Sequence, residues 1–277
     1  MLALIDADIL VYECAYRAQK AEQWSESEFT YTANLDDAKV DFEACLLSIE
    51  EAVGAADSIL ALTDSDRDAN FRRHLFDPYK RPRGKAGNAR PLVYAALRAW
   101  IRDTYNVKQK HGIEADDTIG ILATADLDSL PPKDERIIVS IDKDLDTVPG
   151  KHFNWRNNDR GVYDVDPGYA YYWLMTQTLV GDSTDNYPGL KGVGPKTAQK
   201  ILEKPSTKVY AWMDGKSPGY ESAMWFEVVA AFEKRGFTAE DALVQARCAR
   251  ILQAEDWDFE NDRVILWTPP EVIGADV

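Results

Sequence analysis

The chain has 277 residues, of which 45% are hydrophobic, and a formal net charge of −15. This length and apolar content can bury one large core or two unequal ones. No apolar stretch approaches the roughly 20 residues that span a bilayer, and no basic region precedes the short apolar run at the N-terminus, which predicts a cytoplasmic protein without membrane contact. The three cysteines, Cys14, Cys45 and Cys248, have no metal-type spacing and favour reduced thiols.

Two basic segments interrupt the acidic background. Arg67 to Arg90 contains eight Lys or Arg residues and a local balance of +6, and Lys191 to Lys216 contains six Lys and a balance of +4. The overall charge argues against a protein that attracts DNA through its whole field, but local patches of this kind can contact phosphates.

The apolar patterning alternates between strands and helices along the first part of the chain. Apolar runs predict buried strands at Leu2 to Ile5, Ser58 to Thr63 and Arg136 to Ile141, and helical periodicity covers Asp36 to Ala52 and Pro91 to Thr104. This alternation predicts an α/β fold with a mostly parallel central sheet flanked by helices. Beyond about residue 180 the pattern is helical, which predicts a first region over residues 1–176 and a helical region over residues 177–277.

Acidic residues follow each predicted strand. Asp6 follows the first strand, Asp64 the second, and Asp142 and Asp144 the third. Because ligands of open parallel sheets bind outside the carboxyl ends of the strands, these side chains are expected to meet in one crevice. Asp8 is expected to accept a hydrogen bond in a turn or to support a ligand, and His111 is interpreted as an isolated structural residue.

Two further acidic groups add to this set. Glu114, Asp116 and Asp117 begin a predicted helix, a pattern that taken alone is typical of an ordinary acidic helix start, and Asp182 and Asp185 lie in a glycine-bounded segment. So many carboxylates in one crevice would raise one another's pKa unless cations shared the site, and oxygen ligands select Mg²⁺ or Mn²⁺. Two such ions roughly 4 Å apart can clamp a scissile phosphate, which predicts phosphodiester hydrolysis.

The segment Pro188 to Ala198 has the composition of a tight hairpin. Gly192 and Gly194 permit a turn with exposed amides, and Lys196 and Lys200 share one face of the helix that follows. Such a hairpin binds a DNA backbone without reading sequence. A plain helix–turn–helix connection is the alternative.

These motifs resemble, in order and over most of the chain, the flap endonuclease and 5′→3′ exonuclease superfamily. They are Glu-Ala-Asp-Asp at 114–117, Asp-Lys-Asp-Leu at 142–145, Gly-Asp-x-x-Asp-Asn at 181–186 and Gly-Val-Gly-Pro-Lys-Thr-Ala at 192–198. The sequence looks most similar to the exonucleases of short-tailed bacteriophages. The resemblance implies a resolvase-like nuclease core and a helix-hairpin-helix at about 186–203. It also implies cleavage of double-stranded DNA from 5′ ends or at flaps, removal of RNA primers from RNA–DNA hybrids, and a place in phage replication or recombination in the host cytoplasm.

The resemblance also implies roles for particular residues. It assigns one Mg²⁺ or Mn²⁺ to Asp6, Asp64, Glu114, Asp116 and Asp117, and a second to Asp142, Asp144, Asp182 and Asp185. A Tyr-Lys-x-x-Arg segment leads into a short helical arch at about 79–104, in which Lys80 and Arg83 would contact the scissile phosphate. A K⁺ ion at the hairpin is a further implied ligand. The implied DNA contacts are Arg72, Arg73, Lys80, Arg83, Lys191, Gly192, Gly194, Lys196, Thr197 and Lys200.

The sequence departs from the superfamily pattern in two places. Residues 64–68 are unusually acidic, and residues 84–102 of the arch region contain few lysines. Threading of a long single-stranded flap is therefore not part of the prediction.

Two other functions compete with the nuclease. A haloacid-dehalogenase-type phosphatase would use Asp6 as nucleophile and Asp8 as acid, but leaves Glu114 and the hairpin unexplained. A DNA-binding clamp would use the hairpin with an inactive crevice, although every expected ligand position carries Asp or Glu. A calcium loop at 64–75 is excluded because Ala69 and Leu75 stand where such a loop needs Gly and Glu.

Overall fold

The computed structural model describes residues 1–26, 28–81, 90–203 and 219–270. The helices are α1 (Ala7–Arg17), α2 (Leu35–Val53), α3 (Phe71–Leu75), α4 (Tyr94–Thr104), α5 (Ala115–Thr124), α6 (Pro167–Val180), α7 (Pro195–Leu202), α8 (Tyr220–Glu233) and α9 (Ala239–Ala249). The strands are β1 (Leu2–Asp6), β2 (Gln19–Gln23), β3 (Phe29–Ala33), β4 (Asp57–Ala61), β5 (Val107–Lys108), β6 (Arg136–Val139), β7 (Gly150–Phe153), β8 (Tyr163–Val165), β9 (Trp257–Asp258) and β10 (Arg263–Val264).

A six-stranded sheet with the order β5-β4-β1-β6-β7-β8 forms the centre of the fold. Strand β1 runs parallel to β4 and β6, with Leu4 opposite Ile59 on one side and Ile138 on the other. Only the edge strand β8 is antiparallel to its neighbour. All five residues of β1 are buried, as expected for a strand covered on both faces. The predicted mostly parallel sheet flanked by helices is confirmed.

Separate apolar clusters cover the two faces of the sheet. Helices α1, α2 and α4 pack on one face, where Phe42, Leu46 and Leu97 are buried. Helix α5 packs on the other face through Ile119 and Leu122. This layering sets the carboxyl ends of β1, β4 and β6 along one edge, between the starts of α1 and α5.

A second helical core is built from α6, α7, α8 and α9. Its buried residues include Leu174, Leu179, Trp225 and Phe232, and Tyr79 of the preceding region joins the same cluster. The predicted boundary between residues 176 and 177 falls within α6, whose buried residues on both sides of it pack into this core. In the described part of the chain, no helix has both the length and the apolar character needed to cross a membrane.

An antiparallel hairpin of β2 and β3 stands outside the central sheet. Nothing in the sequence patterning predicted it, because β2 is polar and mostly exposed. The side chain of Gln19 at the start of the hairpin accepts a 3.1 Å hydrogen bond at its Oε1 atom from the Leu92 amide.

Candidate active site

Asp6 ends β1 and also caps α1. Its Oδ1 accepts from the Asp8 amide at 3.2 Å, and its Oδ2 accepts from the hydroxyl of Ser140, which follows β6, at 3.1 Å. Only 5% of Asp6 is exposed. Burial, reinforced by the carboxylates of Asp8 and Asp142, raises the pKa of Asp6 to about 7. The strand end and the helix start therefore hold a carboxylate that is costly to ionise without a cation.

Asp116 faces this carboxylate from the first turn of α5. Its Oδ1 is buried and has no hydrogen-bond partner among the described residues. Burial raises its pKa well above the ordinary range, and the charges of Asp6 and Asp142 add to the effect. A buried, unpartnered carboxylate oxygen costs free energy, so its position points to a ligand.

Asp142 and Asp144 follow β6 as predicted from the sheet topology. The Oδ1 atom of Asp142 accepts from the Asp144 amide at 2.9 Å and so begins a short 3₁₀ turn at Lys143–Thr147. The Asp144 Oδ1 atom is buried and, in the described part of the molecule, unpartnered. Burial and the neighbouring charges of Asp142 and Asp182 raise the pKa of Asp144 to about 7.

A closed loop between α6 and α7 carries Asp182 and Asp185. Gly181 and Gly189 have φ values of 72° and 58°, and their backbones are pressed together: a Cβ on Gly189 would lie 2.3 Å from the Gly181 nitrogen. Asp182 and Tyr187 exchange backbone hydrogen bonds across the loop at 3.0 and 3.1 Å. Only glycine permits this closure, which turns the loop's carboxylates toward Asp144.

Lys80 lies between two of these carboxylates. Its Nζ is 2.9 Å from Glu114 Oε2 and 3.3 Å from Asp185 Oδ2, and the Tyr79 hydroxyl donates to the same Asp185 oxygen at 2.9 Å. Burial opposes the charge, but Glu114 and Asp185 outweigh it and raise the pKa of Lys80. The backbone of Lys80 has φ 45° and is held by a 2.8 Å bond from its amide to the Asp185 carbonyl. This uncommon conformation for a non-glycine residue is typical of functional sites.

Asp64 lies on the far side of Glu114, in a cavity of about 260 Å³ that Glu114 and Lys80 also line. Burial would raise its pKa, but hydrogen bonds from the amides of Gly112 and Asp66 and from His111 lower it. The His111 Nδ1 atom is 2.8 Å from Asp64 Oδ2. The interpretation of His111 as an isolated residue is therefore wrong: it is an exposed partner of a candidate ligand.

Asp117 and Arg72 form a buried pair beside the cleft, which Arg72 also lines, with one guanidinium nitrogen 4.0 Å from Glu114 Oε2. Two Arg72 nitrogens donate to the two Asp117 oxygens at 2.7 Å each, and Arg72 also donates to the Cys248 carbonyl at 3.2 Å. The Asp117 oxygens further accept from the amides of Glu114 and Leu252. Both residues are at most 2% exposed.

This pair corrects two predictions. Arg72 cannot contact DNA while its guanidinium is buried against Asp117. Asp117 has its lone pairs committed to Arg72 and to two backbone amides, and these bonds outweigh burial and lower its pKa, so it is not placed as a metal ligand. The Glu-Ala-Asp-Asp motif thus divides into residues that face the cleft and one that fixes α5 to α3.

Three supporting residues were not predicted to take part in the site. Asn70 donates to Glu114 Oε1 at 3.1 Å, Ser140 donates to Asp6, and His111 contacts Asp64. Counting carboxylates could not have found them, because their contacts depend on chain segments brought together by the fold.

The carboxylates lie near one another but, among the described residues, do not form a complete metal site. Among the described residues, no group of three or more carboxylate, imidazole or thiolate side chains is arranged closely enough to hold an ion. A cavity of about 30 Å³ nevertheless lies between Glu114, Asp116, Asp142, Asp144 and Asp185, which is space for about one water-sized occupant. The donors are all oxygens, and those of Asp116 and Asp144 that lack a partner in the described part of the chain have the chemistry that a hard divalent cation prefers.

The predicted hairpin lies at the start of α7. Residues 181–194 form turns that join α6 to α7, with Gly192 at φ 80° and Gly194 as the residue preceding the helix. The predicted DNA contacts of this segment are exposed: Lys191, Gly192, Gly194, Lys196, Thr197 and Lys200. Arg73 is paired with Asp68. Arg83, and the lysines of the second basic segment beyond residue 203, lie outside the described residues.

Residues 1–167 match the family model described as a 5′-3′ exonuclease, N-terminal resolvase-like domain. The chain belongs to this family. It is 28% identical to the exonuclease of Escherichia phage T7 and 26% identical to the exodeoxyribonuclease of Enterobacteria phage T3, in each case over 97% of this chain and 93% of the phage protein. The predicted membership of the 5′→3′ exonuclease superfamily is confirmed, and it favours the nuclease over the phosphatase.

A solved structure supports the same fold. The T5 D15 protein, co-crystallized with metal ions, is similar with a TM-score of 0.56 and 17% identity, covering 88% of this chain and 87% of that one. At this identity the likeness shows that the two chains share a fold.

Proposed function

We propose that this chain is a divalent-metal-dependent 5′→3′ exonuclease and flap endonuclease that hydrolyses DNA phosphodiester bonds. The observation that carries the proposal is the gathering of Asp6, Asp116, Asp142 and Asp144 at one sheet edge, where buried oxygens of Asp116 and Asp144 have no hydrogen-bond partner among the residues that the structure describes. A clamp that only binds DNA would not need buried carboxylates whose ionisation costs free energy.

The proposed ligands divide between two sides of the cleft. Asp6, Asp64, Glu114 and Asp116 would hold one Mg²⁺ or Mn²⁺ ion, and the second group would consist of Asp142, Asp144, Asp182 and Asp185. When bound, such ions activate water and stabilise charge on the phosphate and leaving oxygen. The protein's part is to hold the carboxylates close together, through the Asp8 amide and the Ser140 hydroxyl that donate to Asp6 and the Asp144 amide that donates to Asp142.

Lys80 is proposed to contact the scissile phosphate. Its ammonium is fixed by Glu114, Asp185 and the backbone bond to Asp185, so little ordering remains when substrate arrives. A fixed cation at that point would stabilise the charge that develops on the phosphate oxygens. Arg83 is proposed to act beside it.

Double-stranded DNA with 5′ ends or flaps is the proposed substrate, with RNA primers in hybrids as a second one. Lys191, Lys196, Lys200, Thr197 and the amides near Gly192 and Gly194 are proposed to hold its backbone, with a K⁺ ion at the turn. We place the start of the helical region near residue 167, because α6 packs in the second core.

The test is cleavage of duplex and flap DNA labelled at the 5′ or the 3′ end, with Mg²⁺ or with chelator. Wild type should release short products from the 5′ end only with Mg²⁺, and Asp116→Asn should lose this while it still binds DNA. Asp37→Asn, an exposed change in the first turn of α2, is the matched control and should cleave normally. Metal-independent cleavage or attack from 3′ ends would contradict the proposal.

A further inference from the structure

A cavity of about 710 Å³ adjoins the candidate active site and takes no part in the proposed chemistry. Its lining includes Tyr12, Tyr16, Arg67, Arg90 and Tyr94. Arg67, Arg90 and Tyr94 also line the cavity that contains Asp64 and Glu114, so the two spaces are continuous.

The cavity extends away from the carboxylates onto the β2–β3 hairpin. A second space of about 470 Å³ shares Tyr12, Tyr16 and Arg90 with the first and reaches Ala21 and Tyr31. We call the combined surface the aromatic groove; it is defined by Tyr12, Tyr16, Tyr31, Tyr94, Arg67 and Arg90.

Two rings of the groove, those of Tyr16 and Tyr31, are open to solvent, whereas Tyr94 is only 7% exposed. Tyr16 is 61% exposed and Tyr31 52% exposed, whereas most aromatic side chains of the fold are packed in its cores. Tyr12 and Tyr16 are four residues apart on α1, and their rings are nearly parallel, with an interplanar angle of 9° and centroids 6.4 Å apart. Exposed ring faces along a path are the feature that unpaired bases use for stacking.

The hairpin presents a face without carboxylates to this groove. The register pairs Ala21 with Tyr31 and Gln23 with Phe29, which places these side chains on one face, together with Gln19. The charged residues of β2, Lys20 and Glu22, alternate onto the opposite face. In a chain of net charge −15, a neutral face of this extent removes a repulsion that nucleic acid would otherwise meet.

Positive groups line the end of the groove nearest the active site. The Arg90 guanidinium lies 4.9 Å from the Tyr94 ring centroid, and Arg67 forms no ion pair with another described residue. Of the two carboxylates that line the first cavity, Glu13 is paired with Arg17 and Arg156. The other, Asp8, lies 3.8 Å from Arg98.

We propose that the aromatic groove binds the single-stranded 5′ end of a DNA substrate, with bases stacked on Tyr16 and Tyr31 and phosphates facing Arg67 and Arg90. This inference rests on the proposed nuclease function. Stacking requires bases that are free of a partner strand, so the groove selects single-stranded over duplex DNA and tolerates any sequence. The β2–β3 hairpin then acts as the surface that receives an unpaired end emerging from the active site.

The test measures binding in chelator, where cleavage does not interfere, by anisotropy of a labelled duplex that is either blunt or carries about four unpaired 5′ nucleotides. The variants are Tyr16→Ala/Tyr31→Ala, the ring-keeping Tyr16→Phe/Tyr31→Phe, and Phe259→Ala as an exposed aromatic control outside the groove. We expect the alanine pair to weaken binding of the extended DNA on the order of tenfold and to leave the blunt duplex unchanged. The phenylalanine pair and the control should bind both DNAs as wild type does.

Other outcomes would overturn the inference. Equal losses on blunt and extended DNA, equal losses on 3′-extended DNA, or no loss at all would each exclude a site for the 5′ single strand. Sedimentation of the free protein gives an independent arm: a wild-type dimer that the alanine pair dissociates would make the groove an interface between copies. Cleavage of blunt duplex with Mg²⁺ reports the proposed nuclease function separately, because neither tyrosine is placed in the catalytic set.

Discussion

At the scale of single residues, the two adjacent aspartates of the Glu-Ala-Asp-Asp motif have opposite surroundings. Asp116 has a buried oxygen without a partner among the described residues and lies beside other carboxylates, whereas Asp117 is fully paired with Arg72 and two amides. We therefore expect Asp116→Asn to reduce cleavage by about a thousandfold or more. It should leave the free energy of unfolding in chelator unchanged or raised. Asp117→Asn should instead lower that free energy by roughly 3 kcal/mol or more.

Urea unfolding in chelator, paired with cleavage assays in Mg²⁺, separates the two roles. A large loss of unfolding free energy in Asp116→Asn, or no loss in Asp117→Asn, would show that these two side chains do not have the contacts described for them.

The raised pKa values of Asp6 and Asp144 predict how stability varies with pH. Both are near 7 in the folded protein against an ordinary value of 3.8, so the folded state keeps protons that the unfolded chain has released. The free energy of unfolding in chelator should therefore lose a contribution as the pH rises from about 4 to about 7. Because bound cations compete with these protons, added Mg²⁺ should stabilise more at about pH 8 than at about pH 5.

Comparison with Asp6→Asn/Asp144→Asn isolates this effect from all other titrating groups. The unfolding temperature of the double variant minus that of wild type, measured in chelator, should increase as the pH increases. Parallel curves would mean that neither carboxyl titrates abnormally.

At the scale of elements, the Arg72–Asp117 pair connects α3, α5 and the end of α9. Arg72 donates to Asp117 and to the carbonyls of Cys248 and Arg250, so one guanidinium joins the nuclease core to the helical region. Arg72→Met should cost roughly 3–5 kcal/mol of unfolding free energy, because it leaves a buried charge without compensation.

The double variant Arg72→Met/Asp117→Asn tests whether the loss of unfolding free energy comes from the buried charge that a single substitution leaves without a partner. It should be less destabilised than the sum of the two single variants, by about 1 kcal/mol or more. Strict additivity in urea unfolding would rule out direct coupling of the pair.

The elements also show which parts of the fold sequence patterning can predict. Strands β1, β4 and β6 and the carboxylates at their ends follow from apolar runs and from the geometry of parallel sheets. The structure brings Asp6 close to Asp142, whereas Asp64 lines the neighbouring cavity. The β2–β3 hairpin was not predicted because Gln19–Gln23 is polar and exposed, so no apolar periodicity marks it. Arg72 was misassigned because a basic segment indicates charge but does not show which side chain turns inward.

At the scale of the whole molecule, the net charge and the local patches act against each other in DNA binding. The exposed Lys196 and Lys200 of α7 would neutralise phosphates, whereas the acidic cleft repels them. Lys196→Ala/Lys200→Ala should weaken DNA binding for every sequence alike. It should also reduce the slope of log affinity against log salt by about 2.

Neutralising part of the cleft should have the opposite effect. In chelator, at low salt and at about pH 8, which is above the pKa of about 7 of Asp144, Asp142→Asn/Asp144→Asn removes two charges from the surface proposed to face the scissile phosphate, so this variant should bind duplex DNA more tightly than wild type. The gain should shrink as salt is raised, because screening at about 0.15 M limits such repulsion to about 8 Å. Anisotropy titrations over a salt series measure both effects, with Asp36→Asn/Asp37→Asn in the first turn of α2, which also neutralises two carboxylates, as the control remote from the cleft. If the cleft variant binds no better than this control, the acidic cleft does not lie against the DNA backbone and the proposed binding face is wrong.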